Sequence, residues 1–293
     1  MSASAAAGSR RRTRKRAGMA RLAGRTGFFA LLAVFVVVSL APFYWIVITS
    51  LKSNAVLAKG TTSLLPSHVT FSNYINDFTQ QDFLRPLLNS VIVCLSTTVL
   101  TVIIASMAGY ALSRTRIRGR PVILGFILIA GFFPILALVG PLFIAYKRSG
   151  LLNSYPALIL SYMIYTLPLA TWLLSSYFSQ IPHELEEAAI VDGTTRIQAL
   201  RKVIIPIALP GVFTAAILSF ILAWNDFTFA LSFMTTPNMY TAPLAIVTLG
   251  QSQYQTFYNL IDAAVVIISI PIALIVIFAQ RRIVSGLTAG AIK

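Results

Sequence analysis

Six long apolar runs, separated by polar stretches, constrain this chain more than any other feature of its sequence. Each run is near or above the roughly 20 residues that an α-helix needs to cross a hydrocarbon core of ~30 Å. Unpaired backbone groups are costly inside a bilayer, so we expect every run to be helical. The sequence therefore predicts an all-α integral membrane protein with six spans, over 28–50, 87–112, 122–146, 152–178, 207–226 and 260–280.

The composition also places the chain in a lipid bilayer. Hydrophobic residues make up 57% of the 293 residues and charged residues only 11%, whereas about a quarter of the residues in a soluble domain are charged. The first apolar run is too long for the hydrophobic region of a cleavable signal peptide. We therefore expect it to stay in the protein as the first span.

A basic segment precedes the first span. Eight of the 23 Lys and Arg residues lie within residues 10–25, and the formal net charge of the chain is +15. This placement fits a tail beside the anionic lipid of the cytoplasmic leaflet. Nucleic-acid binding would need basic residues interleaved with aromatic ones, and that pattern is absent. Because residues 1–27 lack hydrophobic periodicity, we expect them to form a disordered cytoplasmic tail.

The sequence lacks catalytic and nucleotide-binding motifs. No Lys follows a Gly, so the Walker pattern G-x-x-x-x-G-K-[ST] cannot occur. The zinc-protease pattern H-E-x-x-H begins at His183 but has Glu187 where the second His is needed. The single cysteine, Cys94, cannot form an internal disulfide. These absences predict a chain that is not an enzyme and that holds no metal and no cofactor.

The longest polar interruption in the second half of the chain is residues 181–211. Pro182 suits a first helical turn, and three glutamates follow it where the positive end of a helix dipole favours carboxylates. Gly193 can adopt the left-handed conformation that ends a helix. The sequence thus predicts a short acidic helix between two membrane spans.

A second helix is expected after this one. Thr195 and Gln198 have the spacing of a capping box, which would mark its start. Pro206 and Pro210 would then end or kink it, because proline lacks the backbone N–H that a helix interior needs. The two helices together form a helix–turn–helix at the membrane surface.

The same interruption contains a spaced motif. Glu187-Ala188-Ala189 precedes Asp192-Gly193, and Val203-Ile204-Ile205-Pro206 follows after nine further residues. This motif resembles the EAA loop of binding-protein-dependent ABC importer permeases. The resemblance implies a coupling helix that docks on a separate ATPase subunit, and the alternative is an ordinary surface loop. The residues implied in coupling are Glu187, Ala188, Ala189, Asp192, Gly193 and Pro206.

Nearly all of the chain after the basic tail resembles the carbohydrate branch of these permeases, the second subunit of maltose- and trehalose-type importers. The segments that carry the resemblance are Thr70-x-x-Asn73-Tyr74, Leu88-Asn89-Ser90, Gly109-Tyr110-Ala111-Leu112-Ser113-Arg114, Trp224-Asn225-Asp226 and Gly286-Leu287-Thr288-Ala289-Gly290-Ala291.

Polar residues within these segments have two open interpretations. They line a substrate path, or they form hydrogen bonds between helices and cap helix ends. The candidates for a substrate path are Asn89, Tyr110, Trp224, Asn225 and Asp226. By the same resemblance, the tail residues implied to reach between the ATPase subunits are Gly286, Leu287, Thr288 and Gly290.

The resemblance implies a complete architecture and assembly. The fold would be the six-helix type I importer fold, with a permease domain over 28–280, a coupling loop at 181–206 and a cytoplasmic tail at 281–293. The chain would be a multi-pass subunit in the bacterial cytoplasmic membrane. Its partners would be a homologous second permease, an ATPase dimer that binds ATP and Mg, and an extracytoplasmic sugar-binding protein.

The implied function is ATP-driven import of a disaccharide or oligosaccharide of the trehalose or maltose type. One alternative is an ABC permease for another solute, such as a polyol or a glycerophosphodiester. A second alternative is an ion-coupled secondary transporter, which would need ionisable residues buried within its spans. The sequence shows none that we expect to be buried at mid-span.

The distribution of basic residues predicts the orientation of the chain. In a six-span topology 18 Lys and Arg residues fall on the side of the two termini and five on the opposite side. Positive charge marks the cytoplasmic side. Both termini and residues 181–211 are therefore expected to be cytoplasmic.

Single cysteines test this topology. We expect an impermeant thiol reagent to label Ser252→Cys in intact cells and to leave Ser2→Cys and Thr115→Cys unlabelled, in a background without Cys94. Labelling after permeabilisation serves as the control for reactivity. Labelling of residue 2 or 115 in intact cells would overturn the predicted orientation.

Overall fold

A computed structural model describes the backbone of residues 3–58, 63–65, 68–115, 117–249 and 256–289, and the side chains of those that lie within 25–280. Regular structure in these ranges is helical. In chain order the α-helices are α1 (Ala3–Ser50), α2 (Asn54–Ala58), α3 (Ser72–Thr79), α4 (Leu84–Arg114), α5 (Arg120–Gly131), α6 (Ile135–Ser149), α7 (Tyr155–Ser179), α8 (His183–Val191), α9 (Arg196–Ala199), α10 (Ile205–Ile207), α11 (Leu209–Trp224), α12 (Thr228–Phe233), α13 (Ala242–Thr248) and α14 (Tyr258–Ala289).

Four of the described helices contain unbroken segments that are long and apolar enough to cross a bilayer. They lie in α1, α4, α7 and α14, at Arg25–Ser50, Leu84–Arg114, Tyr155–Ser179 and Tyr258–Gln280. Two further spans are bent pairs of helices. Counted as one span each, these pairs bring the total to six, the number that the sequence predicts.

The bent pairs have breaks where the backbone cannot continue a regular helix. α5 and α6 meet at an angle of 81°, and Pro134, which has no N–H to donate, directly precedes α6. The segment Arg196–Ile207 meets α11 at 85°. Ala208 lies at this second break, and Pro210 follows in the first turn of α11.

The two ends of the chain differ from the sequence prediction. α1 includes residues 3–27, for which disorder was expected, and α14 continues into the predicted tail as far as Ala289. The N-terminal segment is rich in Ala, Arg and Lys, which are good helix formers. Extending an existing helix also avoids the cost of a new nucleus.

Helices α4, α7 and α11 pack together at the centre of the bundle. Some of the polar residues of α4 bond to neighbouring elements. The hydroxyl oxygens of Thr101 and Thr166 lie 2.9 Å apart, and both residues are fully buried. The hydroxyl of Ser90 accepts a hydrogen bond from the backbone N–H of Ala242. The interpretation that polar residues in these segments form hydrogen bonds between elements is thus confirmed for Ser90, and Thr101 makes a contact of the same kind.

Asn73 connects the end of α1 to the start of α14. The amide of Asn73 on α3 donates to the carbonyl oxygens of Ser50 and Lys52, at 2.7 and 2.9 Å. Its side-chain oxygen accepts from Asn259 on α14 at 2.7 Å. Asn73 is buried, so these bonds replace the water that its amide would otherwise need. The segment Thr70-x-x-Asn73-Tyr74 thus holds the ends of α1 and α14 together.

Gly109 sets the distance between α4 and α7. A Cβ at this position would lie 2.9 Å from the backbone nitrogen of Ser175, closer than packed atoms tolerate. We expect Gly109→Ala to separate the two helices and to lower the free energy of unfolding by about 1–3 kcal/mol. Thermal unfolding of the detergent-solubilised protein measures this change.

Gly125 provides the matched control, because a Cβ there would have no neighbour within 4 Å. Gly125→Ala should leave the melting temperature unchanged or raise it slightly, since alanine favours the helix by up to about 1 kcal/mol. Equal melting temperatures for the two variants would contradict the close approach at Gly109.

Candidate functional site

The polar interruption between α7 and α11 folds largely as its sequence predicts. Pro182 directly precedes α8, and Glu184 and Glu186 lie in the first turn. The helix ends at Val191, and Gly193 has a φ of +88°, which residues with a Cβ rarely adopt. The hydroxyl of Thr194 then donates to the carbonyl of Ala189 at 2.7 Å, which satisfies one of the last carbonyls of the helix. The predicted acidic helix and its glycine terminator are confirmed.

The second helix begins as predicted but ends differently. Thr195 and Gln198 form a capping box, with the Gln198 N–H donating to the Thr195 hydroxyl and the Thr195 N–H donating to the Gln198 side chain. After α9 the chain forms a π-helical turn over Leu200–Ile204. Pro206 then lies inside α10 and not at a break. The wider turn before it accommodates the missing proline donor, and the bend follows at Ala208.

A buried contact joins α8 to α4. The Tyr110 hydroxyl donates to Oε1 of Glu186, and Nε of Arg114 lies 3.1 Å from Oε2 of the same carboxylate. The side chains of Arg114 and Glu186 are only 4% and 10% exposed. We call these three residues the α4–α8 joint. In such a dry setting an unpaired charge is far more costly than a paired one, so the joint fixes α8 to the end of α4.

The structure therefore reassigns Tyr110. The sequence suggested a place in the substrate path, but its hydroxyl is bound to Glu186 at the end of α4 that contacts α8. Sequence reasoning also missed Arg114 and Glu186. One signal was present: Tyr110 and Arg114 are four residues apart, which puts both on one face of a helix. Nothing in the sequence indicates which of three neighbouring glutamates they meet.

Most residues of the spaced motif are exposed, either on α8 or in the segment that follows it. Glu187, Ala188, Asp192, Gly193 and Pro206 are exposed, and Ala189 is half-buried. Apolar side chains share this surface: Val191 is 85% and Ile197 is 72% exposed. Exposed apolar groups beside a polar rim are typical of a surface that binds another protein. We call this surface, formed by residues 187–197, the α8 face.

The predicted contact residues of the C-terminal tail are placed only in part. Gly286, Leu287 and Thr288 belong to the last turns of α14. Gly290 lies outside the described residues. The contact of this tail with ATPase subunits stays a prediction.

Two of the residues suggested for a substrate path have structural contacts instead. The Asn89 amide donates to the carbonyls of Asn238 and Tyr240, at 2.9 and 2.8 Å, and its oxygen accepts from Tyr155. Trp224 is 2% exposed, and its indole N–H donates to the carbonyl of Ile268. These side chains use their polar groups to hold the fold, because a buried polar atom without a partner is costly.

The other two candidates, Asn225 and Asp226, line a cavity of 490 Å³. The cavity lies between the bend of α5 and α6, the middle of α7, and the end of α11. Oδ1 of Asp226 accepts the backbone N–H groups of Phe229 and Ala230, at 3.1 and 3.3 Å, and so caps α12. The capping role that the sequence left open for Asp226 is therefore present.

Asp226 lies deeper than the sequence suggested. It is the last residue of the predicted span 207–226, but it shares the cavity with Tyr165, the eleventh residue of the 25-residue helix α7. At a rise of 1.5 Å per residue, Tyr165 is roughly 15 Å from one end of α7 and roughly 21 Å from the other. Asp226, 8% exposed, is thus an ionisable residue buried at mid-depth. The packing of α11 against α7 brings it there.

Among the residues that the structure describes, no group of three His, Cys, Asp or Glu side chains could hold a metal ion. The two features that stand out are the α8 face with its joint and the buried cavity. Residues 101–288 match the family described as the inner membrane component of binding-protein-dependent transport systems. The chain belongs to this family. It is therefore a transport subunit with several membrane spans, and we refer to it as the permease.

Relatives of the permease match over nearly their whole length. It is 44% identical to the trehalose transport system permease protein SugB of Mycobacterium tuberculosis, over 92% of this chain and 99% of that one. It is 42% identical to the sulfoquinovosyl glycerol transport system permease protein SmoH of Agrobacterium fabrum, over 90% and 93%.

Its structure resembles a chain of a bacterial ABC transporter involved in the import of alginate. The TM-score is 0.75 at 26% identity, and the match covers 89% of the permease and 96% of that chain. The fold is thus the type I importer fold that the sequence predicts.

The α4–α8 joint is open to a direct test. In Glu186→Gln the buried guanidinium of Arg114 loses its counter-charge, and breaking such a pair costs about 3–5 kcal/mol. We expect α8 to detach and trypsin to cut after the exposed Arg196 several times faster than in the unmodified permease. Limited proteolysis followed by mass spectrometry measures the rate.

Glu184 is the matched control, since it lies on the same helix and is exposed. Glu184→Gln should leave the cleavage rate unchanged. The double variant Arg114→Gln with Glu186→Gln should recover part of the protection, because neither partner is then charged. Unchanged cleavage in Glu186→Gln would show that the joint does not hold α8.

Proposed function

We propose that the permease is one of two homologous membrane subunits of an ATP-driven sugar importer in the bacterial cytoplasmic membrane. Its substrate is a disaccharide or oligosaccharide of the trehalose or maltose type. ATP and Mg bind to a separate ATPase dimer, and an extracytoplasmic protein delivers the sugar. Family membership and the sugar importers among the relatives support this function.

One observation supports the coupling part of the proposal: a buried charge pair holds the exposed helix α8 against α4 of the transmembrane bundle. The α8 face offers Glu187 and neighbouring apolar side chains to the ATPase. When the ATPase dimer closes, it displaces α8. Glu186 then transfers this displacement to Arg114 and Tyr110 on α4. The bundle rocks and the sugar path opens outward.

Movement reaches the bundle by two routes in this mechanism. The first route runs through the α4–α8 joint into α4, which packs tightly on α7 at Gly109. The second runs through the turn at Gly193 and the capping box into α9 and on to α11. Interiors packed at crystal density are barely compressible and transmit strain, so a shift of α8 is carried through both routes.

An ion-coupled secondary transporter, the alternative from the sequence, would use a buried ionisable residue. Asp226 is such a residue. Its oxygen is engaged by two backbone N–H groups, which gives it a structural role. Membership in a binding-protein-dependent family favours ATP-driven import.

Substitutions on the α8 face test the coupling function. Glu187→Ala removes an acceptor for a charge-assisted hydrogen bond to the ATPase, worth about 1.5–3 kcal/mol. Gly193→Val forces a β-branched residue to a φ of +88°, which is strained. We expect each variant to reduce sugar uptake at least about tenfold while the protein still inserts. Uptake by cells and co-purification of the ATPase in detergent measure the two effects.

Two variants serve as controls for these changes. Glu184 lies outside the motif, so Glu184→Ala should reduce sugar uptake only slightly. Gly193→Asn should retain more uptake than Gly193→Val, because asparagine tolerates the left-handed region. Normal uptake and full ATPase retention in both Glu187→Ala and Gly193→Val would contradict coupling through α8. Failure of the unmodified importer to take up either trehalose or maltose would contradict the proposed substrate class.

A further inference from the structure

Helix α3 presents its apolar side to the surface and its polar side to the protein. Asn73 and Asp77, four residues apart and therefore on one side of the helix, are buried. Phe71, Ile75 and Phe78, spaced as a helical stripe, are 65%, 60% and 41% exposed. A helix on the surface of a water-soluble domain has the reverse arrangement, with its apolar stripe against the core. The arrangement in α3 indicates that an apolar medium or partner covers the outer stripe.

Hydrogen bonds hold α3 in this orientation at the C-terminal end of α1. Besides the bonds of Asn73 to the ends of α1 and α14, the Tyr74 hydroxyl lies 2.7 Å from the Ser50 hydroxyl. The N–H of Thr70 donates to the carbonyl of Leu51 at 2.9 Å. α3 thus begins at the level at which the first span ends, which is the extracytoplasmic end in the predicted topology.

A short segment that precedes α3 lies beside the span itself. The Tyr44 hydroxyl donates to the carbonyl of Leu64 at 2.7 Å, and Nζ of Lys52 donates to the carbonyl of Ser63 at 2.6 Å. The same Nζ lies 5.3 Å from the centre of the Trp45 ring. Tyr44 precedes the last residue of the span by six positions, which is roughly 9 Å along a helix. The chain at Leu64 is therefore next to the membrane-spanning part of α1.

Large apolar side chains are exposed on both parts of this connection between α1 and α4. Leu64 and Leu65, beside the span, are 67% and 71% exposed. The span is itself almost entirely unburied within the permease, so the two leucines continue its lipid-facing surface. We use the name connection surface for the exposed apolar residues Leu64, Leu65, Val69, Phe71, Ile75 and Phe78.

Lipid fits the connection surface better than a protein from the aqueous side. Tyr and Trp side chains are concentrated at membrane–water boundaries, so the exposed rings of Tyr44 and Trp45 mark that boundary on α1. Leu64 lies at the same level, where a water-soluble partner does not reach. α3 begins less than two helical turns further along, the level at which amphipathic helices lie in the headgroup layer. Left in water, this many exposed apolar side chains would be unusual.

We propose that the connection surface binds the lipid leaflet at the C-terminal end of α1. Leu64 and Leu65 contact acyl chains, and the stripe of α3 lies at the boundary between acyl chains and headgroups. α3 is then an interfacial helix that binds the protein through its polar side and phospholipid through its apolar side. Because Asn73 joins α3 to α1 and α14, this contact also fixes the depth of the ends of both helices. The inference does not depend on which solute is transported.

The test measures what surrounds nitroxide labels at Leu65→Cys and Ile75→Cys. The labelled permease is assembled in the complete importer without its other cysteines, in vesicles of phosphatidylethanolamine and phosphatidylglycerol. Oxygen is concentrated among acyl chains and a nickel chelate stays in water, so the ratio of their collision rates with the label reports the medium. We expect this ratio at both positions to be about threefold or more above that at Gln80→Cys.

Gln80 is the matched control because it directly follows α3 but is exposed beside a polar cleft. Phe43→Cys, 63% exposed on α1, gives the ratio expected in lipid. A ratio equal to that of Gln80 at residue 65 or 75 would mean contact with water and would overturn the proposal. Few collisions with both reagents at either residue would also overturn it, since a protein partner would then cover the surface. Val69 replaces either position if a labelled variant does not assemble.

Discussion

The carboxylate of Glu186 lies between the guanidinium of Arg114 and the hydroxyl of Tyr110, shielded from water. Separation of these groups would leave charges buried without partners, which costs more than the bond itself contributes. α8 therefore cannot move without α4. The lack of a Cβ at Gly109 lets α4 pack against the backbone of α7, so the same constraint extends to the centre of the bundle. The exposed motif residues of α8 are free to bind a partner because the buried residue of the helix is Glu186, which makes the contact with α4.

The bent spans supply the second part of the architecture. Pro134 precedes α6 and interrupts one span, and the chain turns again where α11 begins. Straight helices would pack side by side, whereas the bend of α5 and α6 faces the end of α11 and leaves a cavity. Backbone polar groups freed at such breaks need partners in a membrane. Where the chain breaks again between α11 and α12, Asp226 provides such a partner, since it accepts N–H groups of α12.

Residues with local roles were predicted well. The glycine after α8 and the capping box at Thr195 follow from the conformational preferences of single residues and their near neighbours. The contacts of residues with distant partners were not predicted. Asn89 meets carbonyls about 150 positions away, and Tyr110 meets Glu186 from 76 positions away. A polar residue in an apolar run looks the same in the sequence whether it lines a path or binds another helix.

The sequence by itself determined the six spans, the helical class, the position of α8 and the family, because bilayer thickness, helix termini and motif spacing act along the chain. Only the tertiary structure decided which glutamate faces inward, that Asn89 and Trp224 hold the fold, and that Asp226 lies at mid-depth beside Tyr165. Those outcomes depend on which helices meet and where they bend. Contacts between helices far apart in the chain are chosen by packing and by the need to pair every buried polar group.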